Sequence, residues 1–345
     1  MGRGNSGLKK YIADWAKSVG SEKNRLAQYG EPGGAPFGYS CANSIVFNTI
    51  KKTLGFDQCR GFFTAAAPIA AETVKYFASL DIPLYEVFGQ SECTGPHTVS
   101  CFGEWKIGYC GRPMRGSHSK IDPNTGELCY RGRHIFMGYM YMPNETAATI
   151  DNEGYLHSGD VAEFDGNNSE FCPSPSGFMR ITGRIKDLII TAGGENVPPI
   201  LIENEMKAAM VAISNCFVVG DRRKYLSMLV SLKTEVDPAT NTPTDVLAAD
   251  ALFVAKQIGS SAQTVKEAAA DPLWSKYITE GMKKANGMTT SNAQVVQKWR
   301  LLPVDFSESA GDLTPTMKVK RNVVLKKYAD LIDSIYAEDE QSRDV

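Results

Sequence analysis

The chain has 345 residues, 43% of them apolar, which suits about two domains with cores of ordinary size. Its 37 Lys and Arg residues against 39 Asp and Glu give a net charge of −2, so no overall attraction to nucleic acid is expected. The eight cysteines form no C-x-x-C pair and the four histidines are scattered, which favours free thiols in a reducing compartment over zinc or disulfides.

The sequence predicts a protein that does not span a membrane. Its N-terminal half has the pattern of an α/β domain. MGRGNSGLKKYIADW lacks the apolar core of a signal peptide, and no run approaches the length of a membrane span. We therefore predict a cytoplasmic protein, at most peripheral to a membrane. Residues 8–30 have periodic apolar positions and predict a helix. From GEPGGAPFG at 30–38 to about residue 185, short apolar runs such as GFFTAAAPI and IPLYEVFG predict strands between turns.

A second composition begins at DLIITAGG, residues 187–194. The two prolines of PPILIENEMKAAM, followed by Glu203 and Glu205, suit the first turns of a helix. CFVVG and SMLVSLK predict strands, and residues 243–287 have helical propensity. One apolar face of a terminal helix is predicted from the spacing of Val324, Tyr328, Leu331 and Ile335.

YEVFGQSECTG, residues 85–95, places a hydroxyl and a carboxylate directly after an apolar run. Such an end of a strand is the usual position of α/β sites, where Glu92 is a hard ligand suited to Mg²⁺. Ser91 can donate to a phosphate, and Phe88 offers a flat face to a purine. On this stretch alone, a polar turn with a solvated Glu92 is the stronger alternative.

GYLHSGD and ITGRIKDLIITAGGENVPP are two further candidate segments. Asp160 ends the first, where it can accept hydrogen bonds from a ribose diol or cap a turn. In the second, Arg184 and Lys186 crowd a strand junction, and Gly193 and Gly194 allow close approach of backbone to a ligand. A charged linker between domains explains the second segment equally well.

LTPTMKVKRNVV, residues 313–324, places three cations ahead of the terminal helix. A basic loop of this kind is usually solvated. A single lysine carried into an anionic site, such as Lys318 or Lys320, would act there as a mobile point charge.

Together and in this order, these stretches resemble the adenylate-forming superfamily of acyl-CoA synthetases, luciferases and peptide-synthetase adenylation domains. Within it, GRIKDLIITAGGENVPP, AISNCFVVGDRRKYLSMLVSLK, VQKWRLLPVDFS and LTPTMKVKR resemble the bubblegum type of long-chain fatty acid–CoA ligase. The resemblance implies an α/β fold with a truncated large N-terminal domain at 1–184 and a small, mobile α+β C-terminal domain at 185–345. It also implies ATP, Mg²⁺, coenzyme A and a fatty acid as ligands, and no nucleic acid.

By resemblance, nucleotide-binding positions are Ala66, Ala67, Phe88, Gly89, Ser91, Asp160 and Arg184. Phe88 would stack on adenine, Ser91 would contact the α-phosphate, Glu92 would bind Mg²⁺, and Asp160 and Arg184 would hold the ribose.

The resemblance assigns further roles to the C-terminal part. Lys186 matches the hinge about which the small domain rotates, and Gly193 and Gly194 would line the route of the pantetheine arm. Lys318 matches the lysine that neutralises charge during adenylation, and Lys320 is the rival candidate.

One expected element is not found in the sequence. The family binds the β- and γ-phosphates with an upstream Ser/Thr/Gly-rich loop containing a lysine, and GEPGGAPFG has neither hydroxyl nor lysine. Two hypotheses remain: a ligase of which this is the C-terminal part, or a non-catalytic relative that binds nucleotide or CoA or serves as an interaction partner. A luciferase-like or carrier-adenylating enzyme fits the C-terminal half less well. The sequence carries no signal for an oligomeric state or an acyl chain length.

Overall fold

The computed structural model describes residues 7–66, 69, 71–166, 177–289, 291–315 and 317–341. The chain divides into two compact units, Met1–Ile181 and Thr182–Val345. Each unit has its own apolar cores.

The N-terminal unit begins with helices, as the periodic apolar positions of residues 8–30 predict. Its described helices are α1 (Gly7–Leu26), α2 (Tyr39–Ala42), α3 (Asn48–Thr53), α4 (Ala71–Ser79) and α5 (Pro143–Thr149), with a π-helical turn at Asn43–Phe47 between α2 and α3. α1 and α4 approach closely because Gly20 has no side chain: a Cβ there would lie 2.2 Å from the carbonyl oxygen of Ser79.

Two four-stranded sheets complete this unit. The first contains β1 (Phe62–Thr64), β2 (Leu84–Gln90), β3 (Gly95–Val99) and β4 (Arg112–Pro113) in that order. The second contains β5 (Ser117–Ile121), β6 (Glu127–Gly132), β7 (Leu156–Phe164) and β8 (Met179–Arg184). β1 and β2 are parallel, and the pairs β2–β3, β3–β4, β5–β6 and β6–β7 are antiparallel. The strands predicted from GFFTAAAPI and IPLYEVFG are thus confirmed over Phe62–Thr64 of the first run and from Leu84 to the end of the second.

The core beside the second sheet reaches the turn that follows β2. Cys93, Leu128, Tyr130, Leu156 and Met179 are fully buried there, and part of the Phe88 side chain packs against them. Apolar side chains from both sheets therefore fix the place where β2 ends.

The C-terminal unit is built around the sheet β11–β12–β15. Its described strands are β9 (Ile189–Ile190), β10 (Asn196–Val197), β11 (Ile213–Val219), β12 (Leu226–Leu232), β13 (Thr234–Asp237), β14 (Thr242–Leu247) and β15 (Val296–Leu301). Its described helices are α6 (Pro199–Ala209), α7 (Ala249–Ile258), α8 (Val265–Ala270), α9 (Pro272–Asn286), α10 (Arg321–Lys327) and α11 (Ala329–Gln341). Every residue of β12 is buried, because helices cover both faces of the sheet.

Three sequence-based expectations for this unit need correction. Residues 243–247 belong to β14 instead of a helix, and their Thr and Val residues favour a strand. The predicted terminal helix is two helices, α10 and α11, interrupted at Tyr328. Glu203 lies in the second turn of α6 and is buried against Arg321, so it does not serve the helix terminus.

Candidate functional site

β2 ends in a tight turn that presents Ser91 and Glu92. Gly89 is required for the approach of β3, since a Cβ there would lie 1.8 Å from the carbonyl oxygen of Gly95. The buried thiol of Cys93 closes the turn: it accepts from the Gln90 N–H at 3.2 Å and donates to the Gly95 carbonyl at 3.0 Å. Ser91 is consequently exposed and Glu92 half-exposed.

A tyrosine holds the Glu92 side chain. The Tyr139 hydroxyl donates to Glu92 Oε1 at 2.8 Å, and the Phe136 N–H donates to the Glu92 carbonyl at 2.8 Å. The hydrogen bond from the Tyr139 hydroxyl to Glu92, together with partial burial, raises the pKa of the Tyr139 phenol. The carboxylate at the tip of the turn is thus oriented by the protein before any ligand arrives.

Gln90 connects this turn to Asp160 on β7. Its amide nitrogen donates to Asp160 Oδ2 at 2.9 Å and to the Ser158 carbonyl at 2.8 Å. Its amide oxygen accepts from the Tyr130 hydroxyl at 3.1 Å. Asp160 is only 5% exposed, so a carboxylate and an amide meet in a largely dry environment.

Both candidate carboxylates influence the Tyr130 phenol electrostatically. Burial is the main reason why the pKa of Tyr130 is raised. The neighbouring Cys93 and the carboxylates of Asp160 and Glu92 raise it further. Tyr130 is itself fully buried. Asp160 and Glu92 therefore lie near a common point of the N-terminal unit.

A bulge in β7 sets the direction of Asp160. Cys129 pairs with His157 and Glu127 pairs with Val161, so β7 has two more residues than β6 between these pairs. Gly159, inside the bulge, has φ 71°, a left-handed conformation that glycine adopts without strain. Bulges commonly redirect a side chain beside a functional site.

Polar contacts hold the bulge. Glu127 Oε1 accepts from the Gly159 N–H at 2.8 Å, and Glu127 Oε2 lies 2.8 Å from His157 Nδ1. The Ser158 hydroxyl donates to the Leu128 carbonyl at 2.6 Å and accepts from the Asp160 N–H at 3.1 Å.

A stack of rings supports Tyr130 from behind. The fully buried His97 ring lies 4.0 Å from the Tyr130 ring, with 16° between their planes. His97 Nδ1 is 3.2 Å from His134 Nε2, and His97 Nε2 is 2.9 Å from the Ser119 hydroxyl. Burial and His134 lower the pKa of His97 to about 3, so this ring is neutral at physiological pH. The neutral His97 ring packs against Tyr130 and fixes the position of its phenol ring.

Ala66 lies at the same edge of the first sheet as Gln90. β1 and β2 are parallel, with Thr64 opposite Glu86, so their carboxyl ends meet at one edge. Ala66 has φ 73°, a conformation that costs a residue with a side chain about 1–2 kcal/mol. The other alanine predicted to bind nucleotide, Ala67, lies outside the described residues.

The remaining predicted residues follow Ile181 and so belong to the C-terminal unit, into which β8 continues from the N-terminal unit. Arg184 ends β8, and Lys186 follows in an exposed 3₁₀ turn, Ile185–Asp187. Gly193 and Gly194 form an exposed turn between β9 and β10, closed by the Gly194 N–H donating to the Thr191 carbonyl at 2.9 Å.

Lys318 and Lys320 lie on a loop with a fixed base. Leu313 and Val319 form an isolated antiparallel β-bridge, and the Lys318 N–H donates to the Thr314 hydroxyl at 3.0 Å. Lys318 is half-exposed, and Lys320 is exposed at the start of α10.

Arg321 contradicts the expectation of a solvated basic loop. Its side chain is 12% exposed, lies 2.7 Å from Glu203 Oε1, donates to the Val218 carbonyl at 2.5 Å and stacks over Phe217. Asp312 at the other end of the loop is fully buried and lies 2.8 Å from the Lys327 ammonium. Two charge pairs thus anchor the loop that carries Lys318.

Sequence reasoning missed Gln90, Tyr130 and Tyr139. Gln90 lies inside the candidate motif, but a neutral amide has no acid–base chemistry and is a weaker metal ligand than a carboxylate, so its type did not single it out. Tyr130 contacts Gln90, which is 40 positions away along the chain, and Tyr139 contacts Glu92, which is 47 positions away. Only the folded chain shows them.

Comparison with known proteins identifies the family. The family model described as AMP-binding enzyme matches residues 19–140, and the one described as AMP-binding enzyme C-terminal domain matches residues 186–257. Long-chain-fatty-acid–CoA ligase ACSBG2 of Xenopus laevis is 44% identical over 342 residues. The chain belongs to the adenylate-forming family of AMP-binding enzymes. That alignment covers 97% of this chain and 45% of the ligase, so the chain spans less than half the length of this bubblegum-type relative.

Solved adenylate-forming structures share the fold. The A domain of carboxylic acid reductase from Segniliparus rugosus, solved with AMP and a co-purified carboxylic acid, has a TM-score of 0.60 and 19% identity. The match covers 95% of this chain and 46% of that one. O-succinylbenzoate coenzyme A synthetase of Bacillus subtilis, solved with ATP and a magnesium ion, has a TM-score of 0.51 and 18% identity over 76% of this chain and 46% of that one.

Within the described residues, none of the helices combines the length and the apolar character that crossing a bilayer demands.

Proposed function

We propose that this chain carries the adenylating site of an AMP-forming long-chain fatty acid–CoA ligase. In this reaction a fatty-acid carboxylate attacks the α-phosphorus of ATP, which releases pyrophosphate and forms an acyl-adenylate. The thiol of coenzyme A then attacks the acyl carbon and expels AMP, which leaves the thioester. The observation that carries the proposal is the Gln90 amide, which ties the Glu92 turn to Asp160. It does so in a chain 44% identical to a ligase of this class.

The N-terminal unit supplies the nucleotide site in this proposal. Asp160 accepts from a ribose hydroxyl, since a carboxylate has room for several hydrogen bonds. Phe88 and Gly89 border the adenine, together with Ala66 and Ala67. Ser91, exposed at the turn, donates to the α-phosphate.

Glu92 is the proposed ligand for Mg²⁺. Its donor is a hard carboxylate oxygen, it is half-exposed, and Tyr139 already orients it, which fits a magnesium ion held by one or two carboxylates plus phosphates. When bound, the metal offsets charge on the phosphates, which eases the approach of a second anion.

The C-terminal unit supplies the mobile groups. We propose Lys318 as the cation that stabilises charge on the α-phosphate and the attacking carboxylate during adenylation. Arg184 would hold the ribose, Lys186 would be the hinge, and Gly193 and Gly194 would border the pantetheine arm.

Pyrophosphate exchange tests the proposal. Fatty-acid-dependent ATP–pyrophosphate exchange is measured with a panel of acids, on this chain and on a version extended upstream of Met1. We expect exchange from the extended version and very little from this chain. Each charge-assisted hydrogen bond to the outer phosphates contributes about 1.5–3 kcal/mol, and a Ser/Thr/Gly-rich loop would provide several.

Substitutions in the extended protein test the roles of single residues. Glu92→Ala should abolish Mg²⁺-dependent exchange, and Lys318→Ala should lower it about a hundred- to a thousandfold. Glu104→Ala, at an exposed glutamate of the same unit, and Lys320→Ala are the matched controls. Normal exchange in Glu92→Ala would remove Glu92 from the site, and a greater loss in Lys320→Ala would transfer the role of Lys318.

The proposed location is the cytoplasm. The described cysteines are free, which suits a reducing compartment. A fatty-acid substrate gives a reason for peripheral association with membranes. Detection of the protein in subcellular fractions, with and without a high-salt wash, tests both statements.

A further inference from the structure

Three side chains of the second sheet bring a carboxylate, a thiol and an imidazole together. Cys129 on β6 lies opposite His157 on β7, and Glu127 lies two residues before Cys129 on the same face of β6. One donor atom from each lies within 4.8 Å of the other two. His157 Nδ1 is 2.8 Å from Glu127 Oε2 and 3.5 Å from Cys129 Sγ.

These separations are close to those of a tetrahedral metal centre. Zinc binds imidazole and carboxylate at about 2.0–2.2 Å and thiolate at about 2.3 Å, which places neighbouring donors about 3.3–3.7 Å apart. The nitrogen–sulfur pair already has this spacing. The nitrogen–oxygen pair needs to open by about half an ångström.

The groups around the three donors match the outer partners of a metal site. The Gly159 N–H donates to the second oxygen of Glu127 at 2.8 Å. Asp151 Oδ2 lies 3.6 Å from His157 Nε2, on the far side of the ring from Glu127. Metal-bound imidazoles usually donate their other N–H to a carboxylate, and ligating carboxylates are themselves hydrogen-bonded.

Charge and access also suit a dication. The cluster and its rim hold the three carboxylates of Glu127, Asp151 and Glu153. Two cations are nearby: the Lys120 ammonium lies 3.3 Å from Asp151 and 3.5 Å from Glu153, and the Arg131 guanidinium donates to the Glu153 carbonyl at 3.2 Å. The side chain of His157 is 33% exposed, that of Glu127 is 12% exposed and Cys129 is fully buried, so the imidazole is the most accessible of the three donors.

We propose that Glu127, Cys129 and His157 bind one zinc ion, with the fourth position open to water. Binding releases the thiol proton of Cys129 to solvent. His157 would bind through Nδ1 with its ring proton on Nε2, and Asp151 Oδ2, now 3.6 Å from Nε2, would accept a hydrogen bond from it after a small shift. The donor set of nitrogen, sulfur and one carboxylate oxygen favours Zn²⁺ over Mg²⁺ or Ca²⁺, which prefer oxygen alone.

Cobalt substitution tests the site on the purified 345-residue chain. Titration with Co²⁺ should give tetrahedral d–d bands and a thiolate-to-cobalt charge-transfer band that saturate at one ion per chain. Added Zn²⁺ should bleach both bands. Cys129→Ser should lose the charge-transfer band, and His157→Gln should weaken binding at least about tenfold.

Matched variants show whether the assigned thiol and imidazole are responsible. Cys101→Ser removes an exposed thiol, and His118→Gln removes a half-exposed imidazole of the same sheet; both should bind like the wild type. Asp151→Asn should lower zinc affinity about ten- to a hundredfold, because it removes the outer carboxylate.

Folding of each variant is checked by circular dichroism. If Cys129→Ser does not fold, His157→Gln tests the assignment instead, because His157 is half-exposed and its replacement perturbs the core less. Absence of the charge-transfer band in the wild type, or its survival unchanged in a folded Cys129→Ser or His157→Gln, would overturn the assignment.

Discussion

Gln90 is the residue on which the geometry of the candidate site depends most directly. Replacing it by methionine keeps the length of the side chain and removes its hydrogen bonds to Asp160, to the Ser158 carbonyl and from Tyr130. The bond to an ionised carboxylate contributes about 1.5–3 kcal/mol, and each neutral bond about 0.5–1.5 kcal/mol. Because the three bonds share one side chain, we expect Gln90→Met to lower the unfolding free energy of the N-terminal unit by about 2–4 kcal/mol.

Urea denaturation combined with hydrogen–deuterium exchange measures this loss. Exchange in peptides from β2 and β7 reports on the N-terminal unit separately from the C-terminal unit. Gln58→Met is the matched control, since Gln58 is exposed in the same unit and donates to the adjacent Asp57. We expect it to change the unfolding free energy by less than about 0.5 kcal/mol.

Gln90→Glu tests the same contact through pH. It places a second carboxyl group beside Asp160, where the amide nitrogen now lies 2.9 Å from Oδ2. Like charges at this distance raise the pKa of one carboxyl, so the folded variant keeps a proton that the unfolded chain loses. Its stability relative to the wild type should therefore be greatest in acid and fall as the pH rises through that raised pKa. If both variants matched the wild type at every pH, Gln90 would not join the turn to Asp160, and the site would lose its basis.

Four further substitutions are measured by urea denaturation. Burial raises the pKa of Glu86 from 4.5 to about 7, so its protonated form stabilises the fold fully below about pH 4.5, and this stabilisation is lost as the pH rises through 7. Glu86→Gln should remove that dependence and add up to about 3 kcal/mol at pH 8. Ala66→Gly should add about 0.5–1 kcal/mol by relieving φ 73°, while Ala65→Gly should subtract a similar amount. Arg321→Met should cost about 3–5 kcal/mol, because it leaves Glu203 buried without its cation.

Exposed positions provide the controls for these substitutions. Glu104→Gln and Arg222→Met should each change stability by less than about 0.5 kcal/mol. A wild-type pH dependence in Glu86→Gln, a loss of stability in Ala66→Gly, or equal effects of Arg321→Met and Arg222→Met would each contradict the corresponding reasoning.

The parts of the fold that follow from local pattern could be predicted from the sequence. The apolar runs before Gln90 contain β1 and β2, and the polar residues Ser91 and Glu92 lie in the turn that directly follows β2. Pairing between distant residues could not be predicted in this way. Gln90 meets Asp160 across 70 positions, and Arg321 meets Glu203 across 118, and no local signal distinguishes these side chains from solvated ones.

The same limit applies to the cysteines. Spacing along the chain argues against a metal site, yet Cys129 and His157 face each other because a particular register of β6 and β7 brings them together. A bulge at Gly159 then sets where Asp160 points. Register and bulges depend on the packing of whole strands, so they are properties of the folded sheet and not of any short segment.

The local structure around Asp160 supports the nucleotide-binding role that we propose for it. Removing a carboxylate from water costs free energy that its hydrogen bonds in the folded protein must offset. The chain nevertheless combines the buried Asp160 with a bulge in β7 and with an alanine at φ 73° beside β2. Unfavourable local features that cluster at the ends of neighbouring strands are typical of sites selected for binding geometry.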